Sequence, residues 1–297
     1  MDKEQKAIER LRTASEMSLA YYKQPLVITT SGGKDSDVCL KLAENAGIPY
    51  EVQHNHTTAD APETVRHVRE TFQRLEEKGV LCTVNWPTYK GEPVTMWSLI
   101  PQKLMPPTRL VRYCCSVLKE QGGSGRFIST GVRWAESASR KNNRSTYEKI
   151  SEKKENRMLL TDNDDKRMLF ENCRLKAKRV VNPIIDWTEA DVWDYVQDQR
   201  IKTNSLYCEG FRRVGCIGCP MAGKHGREIE FTRWPTYKKA YINAFGKILE
   251  ERKRRGKMEG TWRIGTGAID VFNWWMEYDL LPGQMDLFEE EDLFDGR

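Results

Sequence analysis

Pro25-Leu26-Val27-Ile28-Thr29-Thr30 runs directly into Ser31-Gly32-Gly33-Lys34-Asp35-Ser36, and Asp37 to Ala46 continues with apolar residues at helical spacing. A β-prone run, a glycine turn and a helical pattern in immediate succession predict strand, loop and helix. Small residues at such a junction let backbone N–H groups approach an anion closely, and the helix N-terminus adds partial positive charge. Lys34 brings a full charge to the same place. The loop lacks the GxxxxGK-[Ser/Thr] spacing of nucleotidases that cleave between the β and γ phosphates, so that chemistry is disfavoured.

Outward from the loop the same alternation repeats. Pro49 to Gln53 reads as a strand, Pro62 to Lys78 as a helix with Asp60 as its cap, and Val80 to Val84 as the next strand. Arg126 to Arg133 predicts a strand ending in a polar turn, Arg179 to Ile185 another, and Thr188 caps a helix to about Asp198. The expected fold is α/β: a Rossmann-like, mostly parallel sheet with helices on both faces and its ligand at the carboxyl ends of the strands, plus a small helical C-terminal subdomain. Residues 141–180 carry more basic than acidic side chains and little apolar period, which reads as a long, mobile, basic insertion. After a cysteine turn from Cys208 to Cys219, a long helix is expected over Arg227 to Arg255 and an aromatic one over Ile269 to Tyr278. Trp262, Trp274 and Trp275 are assigned to packing, because aromatic residues at helical spacing usually belong to a core. The expected organisation is an N-terminal helix (1–24), a nucleotide-binding domain (25–200), a cysteine turn with helical subdomain (201–282) and an acidic flexible tail (283–297).

A chain of 297 residues, 39% hydrophobic and 31% charged, can bury one large α/β core with an appended subdomain. Its 48 basic and 43 acidic residues leave a net charge of +5, too mild to indicate a nucleic-acid protein by itself. Residues 1–22 are charged and amphipathic, and no stretch reaches the roughly 18 apolar residues of a membrane span, so a cytoplasmic protein without membrane contact is expected.

Eight cysteines without an export signal read as metal ligands or reduced thiols rather than disulfides. Cys114 and Cys115 are adjacent and Cys216-Ile217-Gly218-Cys219 follows about a hundred residues later. Four soft thiolates in this CC…CxxC set suit a structural zinc or a [4Fe–4S] cluster. Cys39, Cys82 and Cys173 read as buried or loop thiols, and Cys208 is the other candidate for sulfur chemistry. His54, His56, His67 and His225 show no metal spacing.

Ser31-Gly32-Gly33-Lys34-Asp35-Ser36 resembles the PP-loop of ATP pyrophosphatases. His56-Thr57-Thr58-Ala59-Asp60-Ala61-Pro62-Glu63-Thr64 resembles the segment of PAPS (phosphoadenosine phosphosulfate) reductases that ends in Pro-Glu-Thr. Thr130-Gly131-Val132-Arg133 resembles their nucleotide-contacting strand end, and Asn182 to Trp193 their NP…DW…DVW block. The resemblance spans about residues 25 to 220 in the family's order, and implies the fold of adenine nucleotide alpha hydrolases with ATP and Mg2+ as ligands. It places Ser31, Gly32, Gly33, Lys34, Asp35, Ser36, Thr58, Gly131 and Arg133 at the nucleotide, with Lys34, Asp35 and Arg133 catalytic. Family reductases usually carry Asp where this chain has His56, which puts a magnesium role for that position in doubt. The adjacent cysteine pair is unusual for zinc ribbons and resembles the cluster set of assimilatory reductases and DNA-phosphorothioation pyrophosphatases, which implies a [4Fe–4S] cluster on Cys114, Cys115, Cys216 and Cys219.

Sulfonucleotide reductases typically have a weakened loop and a C-terminal cysteine nucleophile, whereas this loop is intact and no cysteine follows Cys219. The resemblance therefore implies cleavage of ATP to AMP and pyrophosphate, adenylating a substrate such as DNA or another nucleic acid for sulfur transfer from a donor such as a cysteine desulfurase. Two alternatives stay open: a PAPS or adenylyl-sulfate reductase releasing sulfite with thioredoxin, and a non-catalytic nucleotide-binding iron–sulfur module. Arg133, Arg140 and the basic insertion suit a second anionic substrate, or, in the insertion, a solvated charged loop. Gln284, Leu287 and Phe288 resemble the short peptide by which bacterial replication proteins dock on the sliding clamp; the other reading of that stretch is a disordered acidic end.

Overall fold

The computed structural model describes residues 2–120, 122–123, 125–151, 157–169, 178–257 and 265–278. In chain order its elements are α1 (Lys3–Met17), β1 (Leu26–Thr30), α2 (Lys34–Ala46), β2 (Tyr50–Asn55), α3 (Pro62–Glu76), β3 (Cys82–Asn85), β4 (Thr88–Tyr89), β5 (Glu92–Pro93), α4 (Met96–Lys103), α5 (Tyr113–Leu118) and β6 (Phe127–Ser129). The chain continues with α6 (Ala138–Asn143), β7 (Tyr147–Ile150), β8 (Met158–Leu160), β9 (Lys178–Val181), α7 (Glu189–Asp198), α8 (Gly223–Arg233), α9 (Pro235–Arg254) and α10 (Ala268–Trp275). It divides into two compact units, one of residues 1–56, 60–86 and 119–215, the other of 57–59, 87–118 and 216–297.

The first unit is built on a seven-stranded sheet of order β3-β2-β1-β6-β9-β7-β8. The five strands from β3 to β9 are mutually parallel, and β7 and β8 add an antiparallel edge. Side chains alternate across each strand: Leu26 and Ile28 enter the main core with residues of α1, α2, α3 and α7, while Val27 packs with Ile128 and Val180 in a smaller cluster. The chain winds outward from β1 through β2 to β3, then returns to the other side of β1 as β6. A sheet whose winding reverses in this way opens a crevice at the carboxyl ends of the strands flanking the reversal. The glycine loop follows β1, and Thr130 to Arg133 follow β6, at that point.

Three expectations are corrected. The stretch 141–180 is not a structureless insertion among its described residues, because it carries β7, β8 and the start of β9. Alternation there is short and masked by basic residues, but Tyr147 and Glu148 are buried and pair with Leu160 and Leu159 on β8. The cap of α3 is Ala61, with Pro62 at the first helical position and no side-chain cap bond, so Asp60 does not cap it. The long helix expected from Arg227 to Arg255 is two helices: Pro235 lacks an N–H and forces Trp234 out of the helical region, to φ −126°, ψ 72°. Thr188 caps α7 as expected, in a reciprocal capping box with Asp191.

Among its described residues the regular structure of the second unit is helical apart from the β4–β5 hairpin, whose turn at Lys90-Gly91 has both φ angles positive, as tight hairpins require. Its interior is aromatic: Tyr241 stacks at 4.7 Å on Trp275, and Phe231, Phe245 and Phe272 ring the same indole. Trp275 is thus packing, as expected; Trp262 lies outside the described residues, as do Cys173 and Gln284 to Phe288. Among the described residues no helix is long and apolar enough to cross a membrane.

Beside the apolar contacts of Ala7, Ile8, Leu11 and Ala14, helix α1 is tied into the first unit by a buried cation. Arg10, 3% exposed, donates to both carboxylate oxygens of Asp162, to both of Asp186 and to the Pro183 carbonyl. Burial alone would push the Asp186 carboxyl up, but the Arg10 hydrogen bonds and charge outweigh it and hold its pKa at about 2; Asp162 is lowered by the same balance. Both folded carboxyls thus titrate below their unfolded value, so their contribution is complete above the ordinary Asp range and is lost as pH falls toward about 2. Arg10→Ala should therefore cost about 2–3 kcal/mol at neutral pH, the penalty for breaking a buried pair reduced because both carboxylates retain solvent contact. In urea unfolding the gap between variant and wild type should narrow sharply between pH 5 and pH 2; an unchanged gap would detach Arg10 from the acid response.

Candidate functional site

The glycine loop is held from three sides within the first unit. Gly32 sits at φ +73°, and a Cβ there would lie 2.8 Å from Thr64 Cγ2 and 3.1 Å from Val68 Cγ2 on α3. The left-handed backbone and the close approach both demand glycine. The Ser36 hydroxyl donates to the Gly33 carbonyl at 2.7 Å and accepts from the Ser31 N–H, while Thr30 Oγ1 accepts from the Gly32 N–H. Asn204, fully buried, donates to the Gly32 carbonyl and to Thr64 Oγ1. The Tyr207 hydroxyl accepts from the Lys34 N–H at 3.1 Å, and burial pushes its own pKa up.

Four charged side chains converge at the N-terminus of α2. Lys34 is 5% exposed and its Nζ lies 3.1 Å from Asp35 Oδ2 and 3.2 Å from Glu189 Oε1. Arg133, 2% exposed, reaches Asp35 Oδ1 through Nε at 2.6 Å and Glu189 Oε2 through Nη2 at 2.6 Å. Buried cations need anionic partners, and here two carboxylates supply them in alternating array. Burial would raise Glu189, but hydrogen bonding from Arg133 and the charge of Lys34 outweigh it and hold its pKa below the ordinary value. Gly131 permits this arrangement: a Cβ there would sit 2.9 Å from the Asp35 carbonyl, so the turn after β6 can pass α2 only without a side chain. Trp193 and Tyr207 rings flank Lys34 Nζ at 6.0 and 5.7 Å.

The structure thus brings Ser31, Gly32, Gly33, Lys34, Asp35, Ser36, Gly131 and Arg133 together. Thr58 belongs to the second unit; it holds φ +62°, rare for a β-branched residue, and accepts from the Met96 N–H at 2.7 Å at the start of α4. Glu189, Asn204, Thr64 and Tyr207 carry parts of the site that spacing alone left unassigned. Glu189 stands at the first position of α7, where an acid reads simply as a partner for the helix dipole.

The second unit holds the four cysteines. Cys114 is raised by a hydrogen bond with Cys115, then by burial, then by the charges of Cys115, Cys216 and Cys219. Arg112 Nη2 donates to Cys115 Sγ at 3.3 Å, and Cys216 Sγ lies 3.3 Å from Thr57 Oγ1. The turn of Cys216 to Cys219 is fixed through its backbone: Ile217 N–H to Ala59 O, Gly218 N–H to Glu230 Oε2, and the Tyr241 hydroxyl to Ile217 O. Gly218, at φ +72°, packs against Tyr241 and Phe231, which a Cβ would meet at 2.6 and 2.7 Å. Four soft donors in one unit, with Arg112 beside Cys115, are the donor type that a thiolate-held metal or cluster takes. Cys208 is exposed and belongs to the first unit, and Cys39 is buried in that unit's main core.

Three likenesses accompany this geometry. An uncharacterized protein of Methanocaldococcus jannaschii is 29% identical over 78% of this chain and 50% of its own length. The adenosine 5'-phosphosulfate reductase of Neisseria meningitidis serogroup A is 43% identical over 53 residues, 18% of this chain and 22% of the enzyme. The chain therefore spans half or less of these relatives. The crystal structure of phosphoadenylyl-sulfate reductase from Candida auris is 16% identical, covers 71% of this chain and 87% of that one, and superposes with a TM-score of 0.43. The model of the phosphoadenosine phosphosulfate reductase domain matches residues 25–222, from the first residue before β1 to the turn after Cys219, and the chain belongs to that family.

Proposed function

We propose that this chain is an ATP pyrophosphatase of the family, cleaving ATP to AMP and pyrophosphate and so adenylating a substrate, a nucleic acid such as DNA, for sulfur transfer. The observation that carries the reading is the convergence of two nearly buried cations, Lys34 and Arg133, on the N-terminus of α2 beneath an intact glycine loop. An acceptor oxygen attacks the α phosphorus, the bond from that phosphorus to the bridging oxygen breaks, and pyrophosphate leaves with the electron pair. Lys34 and the loop backbone stabilise the charge that grows on that leaving group, and Arg133 holds the nucleotide against Asp35. Mg2+ would accompany the triphosphate. Glu189 occupies both cations when no nucleotide competes, so it must yield as the phosphates enter.

Cys114, Cys115, Cys216 and Cys219 would hold a [4Fe–4S] cluster, which supplies an electrostatic or sulfur-handling centre. A cysteine desulfurase-type donor would provide the sulfur. A second reading, a sulfonucleotide reductase that releases sulfite with thioredoxin, draws support from the stretch shared with the Neisseria enzyme. The acidic tail, with Gln284, Leu287 and Phe288, would tether the enzyme to the sliding clamp.

Anaerobically purified protein should release pyrophosphate and AMP from ATP and Mg2+, faster with DNA; sulfite from PAPS and reduced thioredoxin without ATP cleavage would establish the reductase instead. Lys34→Ala should lower pyrophosphate release by about 100-fold or more while leaving visible cluster absorbance intact. Glu189→Gln should tighten inorganic pyrophosphate binding by about tenfold, the worth of one competing charge-assisted bond, measured by titration calorimetry. Cys216→Ser should lose iron and visible colour together; bound zinc without colour in the wild type would identify the metal as zinc. Deleting residues 284–288 should abolish capture of the sliding clamp in a pull-down.

A further inference from the structure

The segment His54-Asn55-His56-Thr57-Thr58-Ala59-Asp60 carries donors that the loop chemistry leaves unused. One ligand atom each of His54, His56 and Asp60 lies within 4.8 Å of the other two, all in the first unit. Sequence spacing gave no hint of this, because the bend between His56 and Asp60 folds the carboxylate back onto the end of β2. His54 is 4% exposed and pairs in register with Thr30, the residue before the glycine loop.

The His54 ring is already oriented as a ligand would be. Its Nδ1 lies 2.9 Å from the Thr30 carbonyl oxygen. A carbonyl only accepts, so Nδ1 carries the proton and the lone pair stands on Nε2. A backbone carbonyl fixing one imidazole nitrogen so that the other can ligate is the usual support of a metal-binding histidine. His56 Nδ1 lies 3.6 Å from Asp60 Oδ2, Asp60 is buried, and the His56 ring meets Trp86 edge-on at 4.7 Å.

We propose that His54, His56 and Asp60 form a binding site for a first-row transition-metal dication beside the carboxyl end of β1. Two imidazoles and one carboxylate suit zinc, iron(II), cobalt(II) or manganese(II), whereas magnesium demands an oxygen shell. Three protein ligands leave a position open to water or to an anionic oxygen. The site is independent of which reaction the glycine loop performs.

Thiolates also take up transition metals, so the test reads the metal where sulfur contributes nothing. Full-length, cluster-loaded protein, freed of loose metal by chelator under anaerobic conditions, is titrated with manganese(II), followed by loss of the free-ion EPR signal, and with cobalt(II), followed by difference absorbance. One equivalent of each should bind, with cobalt showing ligand-field bands and no sulfur-to-metal charge transfer. His54→Gln and His56→Ala should each weaken binding at least tenfold while cluster absorbance and thermal unfolding stay unchanged. If His54→Gln does not fold, His56→Asp takes its place and should lower affinity for cobalt relative to manganese. No bound equivalent, equal binding by the variants, or a sulfur charge-transfer band from the added cobalt would overturn the site.

Discussion

The first unit depends on a constraint of charge. Two cations, on Lys34 and Arg133, are withdrawn almost completely from water at the point where the sheet's winding reverses, and each can remain there only against a negative partner. Asp35 supplies one permanently, since it sits on the same helical turn as Lys34. Glu189 supplies the other from α7, whose start is set by the capping box of Thr188 and Asp191. The positions of α2, of the turn after β6 and of α7 are therefore joined by one alternating array. The glycines at 32 and 131 are the steric conditions that let the backbones come close enough to complete it.

Much of this was legible in the residues. Strand, glycine loop and helix announced themselves because each has its own local signal within twenty residues, and Lys34, Asp35 and Arg133 fell where that signal placed them. Glu189, Tyr207 and Asn204 did not, because their roles exist only when segments over 150 residues apart are brought together. β7 and β8 escaped notice for a different reason: an edge pair of three or four residues per strand, with Glu148 and Lys149 consecutive in β7 and no polar residue in β8, carries too little alternation to register. Pro235 was in plain view, yet the apolar period on either side of it masked the break.

The short stretch from His54 to Asp60 serves two units at once. His54, His56 and Asp60 belong with the sheet, while Thr57 to Ala59 belong with the helical unit, where Thr57 meets Cys216 and Ala59 accepts from Ile217. Thr58 holds left-handed backbone, and such outliers persist only where the surroundings over-determine them. A substitution at Thr57 or Ala59 bears on the cysteine turn, whereas one at His54, His56 or Asp60 bears on the sheet.

Arg10 has its own implication for how the chain comes to be folded. The carboxylates that pair with Arg10, those of Asp162 and Asp186, lie 152 and 176 residues further along the chain. During synthesis the apolar face of α1 can pack on α2 early, but Arg10 stands without these carboxylates until much of the sheet has emerged. Completion of this charge cluster is then a late step of assembly, and a nascent chain halted before residue 162 carries Arg10 without either carboxylate.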